Sequence, residues 1–438
     1  MSKQKQSKSK QSKKPGEAQW NCLVGMDAHS EQATLCITEW EHGSEPRIRK
    51  EMTVELGKLE EAYRRHVPPG SLTVLEASTN AFSIAGRLEE AGQRAAVVCS
   101  DTLRGFTRGD KVTDRHDARN LARAYARGSA REVWVPDAAS AERRELLFAY
   151  RDARKDAQAA GSRIWGFCSR LGLPEPGLDA QLPARLAGQI AARHGEGSHW
   201  ALRCESLVED WRRCTELKAH WGEHIEAAVA GSEDAARLMQ VLGIGPLIAF
   251  ALIAIIGDIR RFETSSQLVA YAGLNPSIAQ SGKSEGRGGL SRHGRKDLKS
   301  FLIEGAHSAM AHGREPMHEW ARRLVKSGKA FNLALCALAR KMLVQAWHIL
   351  MGHPPLNPAP TANHRRKLTA VARSAQRIGA LEGLGYRKVT HYVLDMAAKT
   401  ASPPKLQRAS VRGELFRGEL SQNLPRPTQS STSKSLKL

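Results

Sequence analysis

Apolar residues change their period along this chain, and the change divides it into regions. Between residues 20 and 100 they fall in short runs separated by polar turns. CLVGMDAHS, ATLCITEW and PRIRKEMTVE predict three strands, SLTVLEA at 71–77 a buried strand, and RAAVVCS at 94–100 another. Helical spacing governs roughly 57–67, the stretch AFSIAGRLEEAG at 81–92, which closes on a glycine, and the segment at 114–127. The predicted order is β-β-β-α-β-α-β-α. From about 139 to 230 the period is helical throughout: Leu146, Leu147, Tyr150, Ala153, Ala157, Ala160, Ile164, Phe167 and Leu171 recur on one face. A Pro-, Gly- and His-rich break near 173–198 separates this from a second amphipathic stretch ending near Ala230. Two long helices so joined predict an αα-hairpin or coiled-coil arm suited to self-association, or else ordinary helical core packing.

Beyond residue 236 the text reads as an apolar helix end, then Gly243-Ile244-Gly245-Pro246, then a second apolar helix. That is the pattern of a helix-hairpin-helix, in which glycines let backbone N–H groups approach a DNA phosphate and proline suits the first helical turn. A plain interhelical turn is the alternative. Residues 271–302 then read as a Gly-rich cationic loop. Between Pro276 and Lys296 lie Gly282, Gly286, Gly288, Gly289 and Gly294 together with Lys283, Arg287, Arg292, His293, Arg295 and Lys296. Glycines permit close approach and the bases supply phosphate contacts. Ser281, at the head of the loop, is either a nucleophile towards phosphorus or a turn residue in a loop that binds phosphate without covalent chemistry. Helices resume at KDLKSFLIEGAHSAM and NLALCALARKMLVQAWHILMG; Pro-rich basic text follows from 354, with a small helical piece near 365–396.

Composition sharpens this picture. The chain has 438 residues, enough for two or three domains, and a net charge of +21. The excess lies in two tails: residues 1–14 carry six Lys and no acid, and residues 352–438 carry 15 Lys/Arg against four acids. Such tails bind phosphate without reading sequence, or else simply solubilise. The seven cysteines form no CxxC pair, which argues against a zinc ribbon or a disulfide framework. No signal peptide opens the sequence, and the longest apolar run, 246–257, is too short to span a bilayer. The expectation is a cytoplasmic, nucleoid-associated protein with no membrane partner.

Four acids carry the candidate chemistry. Asp27 sits at the end of the first predicted strand, Glu76 at the end of the fourth element of sheet type, and Asp114 and Asp117 open the helix at 114–127. Carboxylates converging from two strands and a helix can hold divalent cations and so attack phosphodiesters. The element order is that of the ribonuclease H-like fold, whose metal carboxylates fall on these same elements. His220 and His224, spaced i, i+4, lack a third ligand of suitable spacing and read as surface or packing residues. His116 stands beside the acids on a face expected to be solvated.

Taken together, VGMDAHS, VLEAS, KVTDRHDARNLA, LGIGPLIAFALIAIIGDIRRFETSSQLVAYAGLNP, QSGK…GRGGLSRHG and LCALARKM resemble the DEDD-type insertion-sequence transposases. These are the Piv/MooV invertase-like group, which includes the bridge-RNA-guided serine recombinases. The resemblance spans about 20–350. It implies a basic tail at 1–18, a RuvC-like DEDD domain at 19–135, a helical coiled-coil region at 136–232, a mainly α transposase domain with the serine at 233–352, and a basic, partly disordered extension at 353–438. It implies Mg²⁺ or Mn²⁺ on Asp27, Glu76, Asp114 and Asp117, with Ser281 as nucleophile. The nucleic-acid contacts it leaves are Gly243, Gly245, Lys283, Arg287, Arg292, Arg295 and Lys296. The partners implied are donor and target DNA, a guide (bridge) RNA and further copies of the chain in a dimer or tetramer. Two positions depart from the family: Gln280-Ser281 stands where tandem serines are frequent, and Ser100 where a proline often follows the fifth strand. The readings that compete are a two-metal junction nuclease that leaves Ser281 idle and a non-catalytic nucleic-acid-binding relic.

Overall fold

The computed structural model describes residues 22–41, 44–100, 113–281, 284–290, 294–353 and 361–401, with side chains described outside 277–293. The chain divides into two compact units at Ala139.

The first unit is built on a five-stranded sheet of order β3-β2-β1-β4-β5. The strands are β1 (Cys22–Ala28), β2 (Gln32–Glu39), β3 (Arg47–Glu55), β4 (Leu72–Glu76) and β5 (Arg94–Val98), with helices α1 (Leu59–His66), α2 (Ala81–Glu90) and α3 (Asp114–Ala126). The element order is the one the apolar pattern predicts. β1 pairs antiparallel with β2 and parallel with β4, which in turn pairs parallel with β5. Strand β1 is central and apolar on both faces, as helices on both sides of a sheet require. Val24 and Met26 face a core shared with Leu59, Tyr63, Ile84 and Leu88, whereas Leu23 faces one shared with Val74, Leu121 and Ala122 of α3. Gly25 points to the α3 side, where an added Cβ would collide with the backbone carbonyl of Ala118. The missing side chain therefore lets α3 lie directly on β1.

The second unit is almost wholly helical. Helices α4 (Ala138–Arg170), α5 (Leu182–His194) and α6 (His199–Ala230) come first. Tyr150 of α4 lies by Gly222 of α6 and Trp211 of α6 by Gly161 of α4, so the two long helices run antiparallel. The far end of α4 closes on α5 and α6 through Ile164, Phe167, Leu186, Ile190 and Leu207.

The main core gathers α7 (Glu233–Leu238), α8 (Pro246–Ile256), α9 (Ser265–Tyr271), α10 (Lys296–His312), α11 (Pro316–Lys326) and α12 (Phe331–Leu350). Helix α8 is apolar on nearly every side because the core surrounds it. Arg144 of α4 donates to the Ala254 and Ile255 carbonyls (2.9 Å each) near its C-terminus. Helix α12 has the length and hydropathy of a membrane span, but half of that stretch is buried inside the fold, where Leu338, Met342 and Leu343 join this core.

One sequence expectation changes. The 271–302 stretch is not simply a loop: β6 (Pro276–Ser281) and β7 (Ser284–Leu290) pair as an antiparallel hairpin with Ser281 opposite Ser284. Three glycines within β7 hide its alternation, since glycine carries no strand signal. The helical piece expected near 365–396 takes the form of α13 (Ala362–Arg377), α14 (Ala380–Gly383) and α15 (Val389–Ala401). Leu368, Val371, Ala372, Ala375, Tyr392 and Met396 place α13 and α15 in the main core.

Candidate active site and nucleic-acid interface

The four acids of the first unit lie near enough for their charges to act on one another. Strands β1 and β4 are parallel with Met26 opposite Leu75, so Asp27 and Glu76 follow at neighbouring strand ends. Asp27 is two residues beyond Gly25 and therefore on the same face, the one that α3 covers. Thr113 caps α3 by accepting from the His116 N–H, and this starts the helix with Asp114 and Asp117 in its first turn. At spacing i, i+3 these two acids share one helix face, and the positive end of the helix dipole favours them there.

Burial raises the Asp27 carboxyl above its usual range; His29 opposes this and Asp114 and Asp117 add to it. Burial, then Asp27 and Asp117, likewise raises Glu76. Burial followed by Asp114 raises Asp117, whose Oδ1 is buried without a hydrogen-bond partner. Repelling carboxylates around an orphaned oxygen fit a divalent cation, which is the charge the cluster lacks. In this structure His29 reaches into the cluster: its Nε2 lies 3.4 Å from Asp27 Oδ2 and 3.5 Å from Asp114 Oδ2. Ligand atoms of Asp27, His29 and Asp114 lie within 4.8 Å of one another. Sequence pattern does not single out His29. Its one signal is its place two residues after Asp27, on the same side of the chain. His116, by contrast, turns its Nδ1 to the Thr113 hydroxyl at 3.0 Å. His220 and His224 stack edge to face at 4.7 Å and gather no third ligand among the described residues.

In the second unit, Ser281 ends β6. Gly282, Lys283, Arg292 and His293 lie outside the described residues, and Arg287 is placed by its backbone only, opposite Ile278. The base of the hairpin is fixed. Gly294 has φ +106° and lies so close to Gly273 and Tyr271 that no side chain fits. The Arg295 N–H donates to the Tyr271 carbonyl at 2.8 Å. Arg295, expected on phosphate, has its guanidinium in a bidentate pair with Asp297 at 3.1 and 2.8 Å. Lys296 next to it is exposed.

The two glycines of the turn before α8 also differ. Gly243 has φ +89° and packs its backbone on Gly305 of α10, where a Cβ would fall 2.5 Å from the Gly305 carbonyl oxygen. Packing thus demands glycine there. Gly245 has open space around it and heads α8 with no capping side chain.

Comparison with known proteins bears on both units. Residues 235–322 match the model of the transposase IS116/IS110/IS902 family. A probable family 20 transposase of Pseudomonas aeruginosa is 28% identical over 309 residues, covering 66% of this chain and 86% of that protein. The transposase for insertion sequence element IS1328 of Yersinia enterocolitica is 26% identical over 297 residues, 64% of this chain and 83% of its own. A pilin gene-inverting protein of Moraxella lacunata is 30% identical over 125 residues, 28% of this chain and 38% of its own. The chain is thus similar to insertion-sequence transposases over most of its described length.

Proposed function

We propose that this relative of the insertion-sequence transposases cuts and rejoins DNA strands through a covalent phosphoserine on Ser281, assisted by a divalent cation on Asp27, Glu76, Asp114 and Asp117. The observation that carries the cation site is the Asp117 oxygen buried without a partner among carboxylates that raise one another's pKa. On this reading the sheet of the first unit is a RuvC-like, ribonuclease H-like scaffold. Asp27 and Glu76 at strand ends and Asp114 and Asp117 on α3 would hold Mg²⁺ or Mn²⁺. When bound, that ion polarises a phosphoryl oxygen and offsets charge in the transition state.

The protein's own groups perform the exchange. The Ser281 Oγ bonds to phosphorus, the bond from phosphorus to one sugar oxygen breaks, and that sugar leaves as a hydroxyl. A carboxylate of raised pKa such as Asp117 takes the serine proton and passes it to the departing sugar oxygen, which leaves as the hydroxyl. Attack by a hydroxyl of a second strand reverses these events, so the phosphodiester bond energy is kept rather than lost to water. Lys283, Arg287, Arg292 and Lys296, with the Gly243–Pro246 turn, hold the phosphate backbone on this reading. Donor and target DNA imply at least two copies of the chain, and a guide RNA selects the sites.

Trapping on a nicked suicide duplex tests the chemistry. Wild type forms a protein–DNA adduct, Ser277→Ala keeps it, and Ser281→Ala loses it by at least about a thousandfold, the scale of removing a nucleophile. Free 5′-phosphate ends with no adduct would instead establish hydrolysis by the acid site, the second reading. Intact DNA binding without any cleavage would mark a non-catalytic relic. Sequencing RNA that co-purifies with the protein tests guidance, and a transcript unrelated to the DNA ends would refute it.

A further inference from the structure

One cationic side chain of the second unit is surrounded by carbonyls rather than by acids. Lys367 projects from α13, in the part of the chain expected to be a basic extension. Its Nζ donates to three backbone carbonyls: Met239 at 2.7 Å, Val241 at 3.1 Å and Ile244 at 2.8 Å. Met239 and Val241 precede Gly243 and Ile244 follows it, so one ammonium ties the incoming and outgoing arms of the turn that leads into α8. An ammonium has three N–H donors, and all three are used. Burial pulls Lys367 down to about 8, with Arg366 adding to the effect and Glu315 opposing it, so it is still a cation at neutral pH.

The neighbouring structure makes this a prepared site. His364, one turn earlier on α13, places its Nε2 2.9 Å from the Ala236 carbonyl. Leu368 and Val371 anchor the helix in the core. A trans peptide points its C=O and the next residue's N–H in opposite directions. With the Val241 and Ile244 carbonyls turned to Lys367, the Leu242 and Gly245 N–H groups therefore point away from it. Among the described residues neither N–H is hydrogen-bonded. Behind them α8 opens without a capping side chain and with Pro246 at its first position. Three converging carbonyls on one side and unpaired amides on the other describe a turn that binds a cation beneath and an anion above.

We propose that the Lys367 ammonium is the resident cation of this turn, the positioning residue that holds the Leu242 and Gly245 amides towards a nucleic-acid phosphate. The inference rests on the reading of Gly243–Pro246 as a phosphate contact. A turn that had to recruit a free potassium or sodium ion into the same carbonyls would bind DNA only when that ion was present. Here the cation is covalently part of α13, so binding is independent of the monovalent ion, and the C-terminal helices are required to prepare the turn.

The test uses the full chain and a random-sequence DNA duplex, with affinity measured in potassium chloride and in choline chloride at equal ionic strength. Wild type binds equally in both. Lys367→Ala in choline loses about tenfold in affinity, because the Leu242 and Gly245 amides are no longer held towards the phosphate. Potassium, small enough for the vacated carbonyls, restores most of the loss, which a purely packing role would not allow. Wild type that itself needs potassium overturns the proposal, and this arm decides even if the variant fails to fold. So does Lys367→Ala that binds like wild type in choline, or that loses affinity without rescue. Gly245→Glu tests the underlying reading separately: it introduces a negative charge into open space and should cost at least as much affinity. If Gly245→Glu binds normally the turn does not contact phosphate; if it fails while Lys367→Ala binds normally, only the role of Lys367 is refuted.

Discussion

At the residue scale, the candidate cation site depends on a glycine and a histidine as much as on its four acids. Gly25 sets the distance between β1 and α3, because any Cβ would meet the Ala118 carbonyl. Gly25→Ala should destabilise the first unit by about 1–3 kcal/mol, the usual cost of overpacking. It should also abolish Mn²⁺ binding, read by calorimetry, by moving Asp114 and Asp117 away from Asp27. Unchanged Mn²⁺ affinity would show that the helix position is not critical. The raised carboxyls give a pH dependence of known sign. Asp27, Glu76 and Asp117 have folded-state values above their usual ones, so the folded state binds protons more tightly than the unfolded state. The stability they contribute is present below the ordinary carboxylate range and is lost as pH rises through the raised values. The cation-free protein should therefore gain stability from this cluster as pH falls from neutral through the raised values towards the ordinary carboxylate range, whereas Asp117→Asn should raise the cation-free Tm at pH 7 by a few degrees. Mg²⁺ should raise the wild-type Tm and leave that of Asp117→Asn nearly unchanged. A variant that melts lower than wild type without cation would contradict the repulsion. The acids are legible in the sequence because charge at a strand end is conspicuous. Gly25 and His29 are not, because a missing side chain and a residue outside the strand acquire meaning only when α3 arrives.

At the scale of elements, strands and helices of the first unit follow from apolar period, since each element buries a defined face. The β6–β7 hairpin does not, because Gly286, Gly288 and Gly289 leave β7 with no face to read. Its base instead depends on close contacts: Gly294 against Gly273, and Arg295 on Asp297. Arg295→Ala leaves Asp297 with the Leu298 N–H and the Arg151 guanidinium 3.7 Å away. It should cost about 1–3 kcal/mol through the weakened pairing of a largely buried carboxylate, and Asp297→Asn in the same chain should recover part of that loss. Melting of the two variants checks this, and failure of the second substitution to recover stability would refute the pairing. The turn before α8 shows the same division between packing and access. Gly243→Ala should unfold or strongly destabilise the second unit, by about 2 kcal/mol or more, because φ +89° and the Gly305 backbone both exclude a side chain. A Gly243→Ala protein with wild-type Tm would show that the turn can shift away from α10.

For the whole molecule, the second unit extends to α15, past the matched family region that ends at residue 322. Deleting 362–401 removes His364, Lys367 and the apolar stripe that covers α6 and α7. The truncated chain should expose that face and aggregate or melt at least about ten degrees lower, as loss of several kcal/mol from a domain implies. A soluble truncation with unchanged melting would show that α13 and α15 are dispensable. Charge alone makes this stretch a phosphate-binding arm. Its Leu368, Val371, Ala372 and Ala375 stripe, with i, i+3, i+4 spacing, is the signal that it buries a face instead. By itself the sequence determined the order of elements in the first unit, the apolar character of α8 and the identity of the acids, because each depends on local period or on intrinsic charge. Only the tertiary structure decided that α3 lies on Gly25, that His29 stands between Asp27 and Asp114, and that Lys367 fills a ring of carbonyls 123 to 128 residues earlier in the chain. Those are contacts between distant segments. Their strength comes from desolvation and from pairing of backbone groups whose positions no local pattern records.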